Sequence, residues 1–146
     1  MQALPHHYTV TAQAAETSQQ VVVATHNVAP LDTDAPIEFG GSGEHWSPEA
    51  LLMAAVADCF ILTFRAIAGP SRVPWSTLEC SATGTLDRVE RTTRFTEITL
   101  TVGLTIPEDV DTERALRLLH KAEENCLVTN SMVTEVHLNA TVNKAS

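Results

Sequence analysis

Cationic side chains are scarce in this chain: nine Lys and Arg stand against eighteen Asp and Glu over 146 residues, for a formal net charge of -9. No Lys or Arg occurs before Arg65. Nucleic-acid binding depends on clustered cations that neutralise phosphates, so no nucleic-acid partner is expected. Cysteines number three, at positions 59, 80 and 126. They fit neither a paired disulfide framework nor the repeated close pairs of a zinc site, which leaves thiol chemistry in a reducing compartment open. The six histidines are scattered without ligand spacing, and His6 and His7 read as solvated residues near the start, so neither a metal nor an organic cofactor is expected.

The opening residues, Met1 to His7, show neither the basic start nor the apolar run of a secretory signal, which favours a cytoplasmic protein. The most apolar stretch, 50–67, contains Asp58 and Arg65, both costly in lipid, so no membrane span is expected. What the chain does have is 44% hydrophobic residues, enough for a core without disulfide staples, and no repeat or linker that would split it. A single domain over 1–146 is expected.

Residues 8–12 and 21–25, rich in Val, Thr and Tyr, flank a polar stretch and predict a hairpin. Residues 30–36 read as a polar loop, and Ile37 and Phe39 as a third short strand ending at the glycines 40, 41 and 43. Ser47-Pro48-Glu49 predicts a helix start: a hydroxyl cap, a proline at the first helical position and an acid at the positive end of the dipole. The helix is expected to reach about Ala68, where Gly69-Pro70 stops it. Its apolar residues, Leu51 to Ile67, cover nearly every side, which predicts a helix buried all round. One sheet covers one side, so a second subunit is expected on the other.

Alternation over 77–86 and 98–106 predicts two long strands with one wet face. Asp111 is placed to cap a second helix with Ala115, Leu118, Leu119 and Ala122 inward and Lys121 outward. A short turn or helix follows Cys126, and 135–142 alternate as a final strand. Cys80 shares a face with Leu78 and Ala82 and reads as a small, inert core residue. Cys59 lies within the long helix, and by itself admits the same reading.

Two segments distinguish it. The run Ser47-Pro48-Glu49-Ala50-Leu51-Leu52-Met53-Ala54-Ala55-Val56-Ala57-Asp58-Cys59-Phe60 resembles the signature of the OsmC/Ohr family, in which Pro-Glu opens a buried helix and a reactive Cys follows ten residues after the Glu. Ala122 to Ser131, centred on Asn125-Cys126-Leu127, is similar to the family's second-cysteine segment. The resemblance spans nearly the whole chain. It implies an α+β fold of antiparallel sheets around a long buried central helix, in an intertwined homodimer. It also implies a thiol peroxidase, without cofactor, that reduces organic hydroperoxides or hydrogen peroxide and is recycled by a small dithiol or dithiol protein. Carried over by position, Cys59 is the peroxidatic and Cys126 the resolving cysteine.

Glu49 has a structural reading, as a dipole-favoured acid, and a functional one carried over from the family. Ten residues of helix separate it from Cys59 by about 15 Å, so the functional reading has it serving the partner's Cys59 across antiparallel helices. The family's Arg before the long helix has no counterpart here: Glu38 stands at the equivalent place. Carboxylates and burial are expected to raise a thiol's pKa, so His26, His45, Arg65 or a base from across the dimer is expected to compensate. A second reading is an OsmC-like protein without efficient peroxidase activity that binds a small hydrophobic ligand or senses redox state. In either, Trp46, Phe60 and Phe64 could line an apolar pocket.

Overall fold

The computed structural model describes residues 1–146, which divide into two compact units, Met1–Leu51 and Leu52–Ser146. In the first, β1 (Thr11–Ala14), β2 (Val21–Ala24) and β3 (Leu31–Thr33) form an antiparallel meander in that order. The hairpin stands as expected, with β1 displaced toward the turn. The third strand is not at Ile37 and Phe39 but at Leu31–Thr33, where Thr33 is buried and Asp32 faces out, an alternation hidden among polar loop residues.

Ile37–Phe39 instead form a 3₁₀ turn, closed by the Phe39 N–H donating to the Pro36 carbonyl at 2.9 Å. The reason lies in Asp34. Its buried carboxylate accepts N–H groups from Ala35 at 2.8 Å and Ser42 at 3.2 Å, drawing 34–42 into a closed loop, and these backbone donors hold its pKa below the usual value. At Gly41 the loop passes so close to itself that a Cβ would lie 1.6 Å from the Ala35 carbonyl oxygen.

The long helix α1 (Pro48–Ser71) starts in the first unit and continues through the second. Ser47 caps it, its hydroxyl accepting the Ala50 N–H at 3.1 Å. It does not stop at Ala68. A proline in the last turn removes only one hydrogen bond, and the helix closes two residues later in a Schellman arrangement. Arg72, with φ 54°, donates to the Gly69 carbonyl at 3.0 Å, and Val73 donates to the Ala68 carbonyl at 3.4 Å.

In the second unit, β4 (Thr77–Val89) and β5 (Thr92–Ile106) pair antiparallel across a tight turn at Glu90 and Arg91, both with positive φ. The chain then passes through α2 (Thr112–Glu124) and α3 (Leu127–Asn130) to β6 (Glu135–Lys144), which pairs with β5 in parallel. This corrects the expectation of wholly antiparallel sheets: a helical crossover returns the chain to the end where β5 began, and only a parallel strand can follow. Asp111 caps α2 by accepting the Glu113 N–H at 3.2 Å.

The core joins three stripes: Val56, Phe60, Phe64 and Ala68 of α1, Ile98 to Ile106 at alternate positions of β5, and Ala115, Leu118, Leu119 and Ala122 of α2. α1 is long and apolar enough to cross a membrane by length and composition, yet this stripe is part of a globular core. It is not buried all round in the single chain. Leu62 is 53% exposed, and Ala55, Asp58 and Ala66 are exposed beside it, because one sheet and one helix cover one side only.

Candidate functional site

Cys59 sits in the middle of α1, half-buried, and Cys126 sits at the N-cap of α3, fully buried. Tertiary folding brings the two together: both are free thiols, and they lie near enough that each shifts the other's pKa. α2 ends one residue earlier at Asn125, whose side-chain amide donates to the Lys121 carbonyl at 2.8 Å. The chain turns there, so that the first N–H groups of α3 meet α1.

Burial pushes the Cys59 thiol up. Against this, the Val128 N–H, the Cys126 thiol, the Thr63 hydroxyl and the Leu127 N–H lie around its sulfur and together bring its pKa below that of an ordinary thiol. Thr63 lies one helical turn beyond Cys59, its hydroxyl 3.9 Å from Sγ and donating to the Cys59 carbonyl at 2.7 Å. These are neutral donors, not the cation that the sequence called for. The expectation that burial and nearby carboxylates would raise this thiol is therefore corrected, because preorganised backbone dipoles outweigh the burial. Arg65 supplies no rescue; its guanidinium stacks over Trp75, 5.9 Å from the ring centroid.

Cys126 moves the opposite way. Burial raises its pKa, Thr129 opposes through its hydroxyl and N–H, and the hydrogen bond and charge of Cys59 raise it further. The two thiols are thus shifted in opposite directions, so that of the pair Cys59 is the one that more readily gives up its proton. Cys80 is half-buried on β4 against the core, and burial, then the charge of Cys126, push it to about 11.

Cys59 opens into a groove of about 700 Å³ made wholly of second-unit residues. Leu62, Ile67, Leu127 and Val128 give its apolar walls, and Asp58, Lys121 and Asn125 its polar groups. Lys121 faces solvent as expected and also borders the Cys59 groove. Phe60 and Phe64, expected as pocket residues, are fully buried in the core, and Trp46 is half-exposed beside a separate small hollow with Glu44 and His45.

Glu49 lies in the first unit, on the wall of an apolar cavity of about 470 Å³ that also meets Val21, Val23, Asp34 and Phe39. Its Oε1 is buried without a hydrogen-bond partner. Sequence reasoning missed Thr63, although its i+4 spacing from Cys59 was readable, and missed the Leu127 and Val128 N–H groups, which appear only once Cys126 is known to cap a helix.

The family profile described as OsmC-like protein matches residues 41–141. The chain belongs to this family. It is 26% identical over 106 residues to the uncharacterised protein YmaD of Bacillus subtilis (strain 168), an alignment covering 70% of this chain and 71% of that one. An OsmC-like protein of unknown function from Vibrio cholerae has the same fold, with a TM-score of 0.82 at 20% identity over 95% of this chain and 100% of its own. So does an organic hydroperoxide resistance protein from Elizabethkingia anophelis, at 0.78 and 20% identity over 99% and 100%. Fold and family are thus those that the two cysteine segments implied, with the OsmC-like arrangement of two sheets and a long central helix.

Proposed function

We propose that this OsmC-like chain is a thiol peroxidase that reduces organic hydroperoxides in oxidative-stress defence. The observation that carries the reading is the meeting of two free thiols, Cys59 on the wall of an apolar groove and Cys126 buried nearby, and their pKa shifts in opposite directions accord with it. A peroxidatic sulfur must be an anion, and a resolving one must keep its proton until it is needed.

The cycle balances without a cofactor. The Cys59 thiolate attacks the distal peroxide oxygen, the O–O bond breaks, and Cys59 becomes a sulfenic acid while the alkoxide takes a proton and leaves as alcohol. The Cys126 thiol then attacks the sulfenic sulfur, forming the disulfide and releasing water. A small dithiol or dithiol protein reopens the disulfide by exchange, a step suited to the reducing cytoplasm. The groove suits a substrate with an apolar body, being within the size range of small-molecule sites. A homodimer completes the site: α1 of a second copy covers the exposed flank, and Glu49 of one copy reaches the partner's Cys59.

The test is the pH dependence of Cys59 alkylation, followed by intact mass, beside consumption of an organic hydroperoxide. Reaction that sets in below an ordinary thiol's range, about pH 8.5, with stoichiometric peroxide loss is the expected result. An apolar groove with polar edges favours the second reading, a hydrophobic-ligand binder or redox sensor. A low-pKa thiol that leaves peroxide unconsumed, in a groove that retains an apolar ligand, would put that reading first.

A further inference from the structure

Thr63, half-buried and four residues beyond Cys59, carries the only hydroxyl among the side chains lining the Cys59 groove. A helical threonine often returns its hydroxyl proton to the carbonyl four residues back, and Thr63 does so, donating to the Cys59 carbonyl at 2.7 Å. By itself that bond is local structure. Its direction matters because a hydroxyl has one proton and two lone pairs. With the proton on the carbonyl, Oγ1 stands 3.9 Å from the sulfur as an acceptor. Turning the proton to the sulfur gives up the shorter bond. Accepting a proton from a molecule in the groove does not.

An alkyl hydroperoxide brings such a proton on its distal oxygen, the atom that a thiolate attacks. Two contacts fix where that oxygen lies: about 2.8 Å from Oγ1 for an O–H···O hydrogen bond, and about 3–3.5 Å from Sγ for attack. Oγ1 and Sγ, at 3.9 Å, are close enough for one oxygen to meet both. The angle between its two contacts is then a little under a right angle. In-line attack sets the sulfur opposite the O–O bond, and the O–H of a hydroperoxide opens a little beyond a right angle from that bond. The O–H therefore points at Oγ1 when the sulfur is in line. Resting on the peroxidase reading above, we infer that Thr63 positions the substrate, its hydroxyl oxygen accepting the hydroperoxide O–H and holding the distal oxygen at Cys59.

The step balances. A sulfur lone pair forms the S–O bond, the O–O bond breaks, and its electron pair leaves on the alkoxide, which takes a proton from water. The distal oxygen keeps its hydrogen, so the product is a Cys59 sulfenic acid whose O–H still meets Thr63. Asp58 is the groove's competing acceptor, but adjacent residues on a helix do not face each other, whereas those four apart do.

The experiment uses the full chain in a Cys80→Ser background and compares two reagents at one pH: cumene hydroperoxide, which brings an O–H to the sulfur, and iodoacetamide, which brings none. Loss of the Cys59 thiol is followed by intact mass. Any part that Thr63 plays in supporting the thiolate acts on both reagents and cancels in the ratio of their rate constants. Thr63→Val and Thr63→Ala are each expected to lower the peroxide-to-iodoacetamide ratio about tenfold, through loss of one hydrogen bond and of the alignment it gives. Thr63→Ser, which keeps the hydroxyl, should keep the wild-type ratio.

An unchanged ratio in both Thr63→Val and Thr63→Ala, where the wild-type ratio exceeds that of free cysteine, overturns the assignment and leaves the peroxidase reading standing. An equal loss in Thr63→Ser overturns it too, since packing would then be the cause. A loss in Asp58→Asn with none in Thr63→Val gives the oxygen to Asp58 instead. A wild-type ratio no higher than that of free cysteine removes the peroxidase reading, and the role of Thr63 with it.

Discussion

The chemistry at Cys59 is decided by the direction in which small dipoles point. Burial opposes a thiolate, and the neutral polar groups of Thr63, α3 and Cys126 around the sulfur outweigh it. The same burial acts on Cys126 and Cys80 with fewer or opposing donors, and both rise. The pH consequence follows in sign: the Cys59 anion is present above its depressed pKa and is lost only on acidification through it, whereas at pH 8 Cys80, near about 11, is ionised to about one part in a thousand. Brief iodoacetamide treatment at pH 8 should therefore label Cys59 first and spare Cys80, as peptide mass mapping would show. After one equivalent of hydroperoxide, wild type should lose two hydrogens as a disulfide, while Cys126→Ser should retain a dimedone-reactive sulfenic acid at Cys59. Equal labelling of Cys80, or no dimedone adduct in Cys126→Ser, would remove the basis for distinct roles.

Elements were legible in the sequence where one periodicity and one cap acted alone. Asp111 with the Ala115, Leu118, Leu119 and Ala122 stripe defined α2, and the alternation of Ile98 to Ile106 defined β5, because each buries a single face. Ser47-Pro48-Glu49 marked the start of α1 for the same local reason. Its end was not legible: Arg72 adopts the left-handed conformation more usual for glycine, and Gly69-Pro70 looked like the stop. Nor was the Ile37–Phe39 turn, which depends on the Asp34 carboxylate reaching Ser42 eight residues away. Cys59 and Cys126 were found through resemblance to segments, whereas the donors around Cys59 emerge only when α3 is docked. The Asp34 loop gives a direct test. Gly41→Ala cannot be accommodated without opening 34–42, since its Cβ would collide with the Ala35 backbone. A loss of about 1–3 kcal/mol, the range of overpacking changes, is expected by chemical denaturation, with new proteolytic cleavage confined to that loop. A wild-type digestion pattern would contradict the closed-loop account.

At the scale of the whole molecule, the open side of α1 is the feature that a single chain does not resolve. Leu62, three residues beyond Cys59, is 53% exposed, in a helix whose opposite stripe, Val56, Phe60, Phe64 and Ala68, is buried. Apolar residues exposed singly are ordinary, but Leu62 lies in a row with Ala55 and Ala66 along one helix flank. A two-fold partner would cover that row. Leu62→Glu separates the two situations, because the single chain leaves room for a solvated carboxylate, whereas a dimer interface would bury it unpaired at a cost of several kcal/mol. The wild type is expected to sediment at twice the 15.8 kDa chain mass. Leu62→Glu should sediment at the chain mass with its helical circular dichroism retained, and its Cys59 should lose the contribution of the second copy while keeping the donors of α3. A wild-type chain that sediments as a monomer, or a Leu62→Glu variant that remains a dimer, would contradict a two-fold interface on this flank. Such a result would leave the two thiols and their polarisation intact, since every group that creates it belongs to residues 59–129 of one chain.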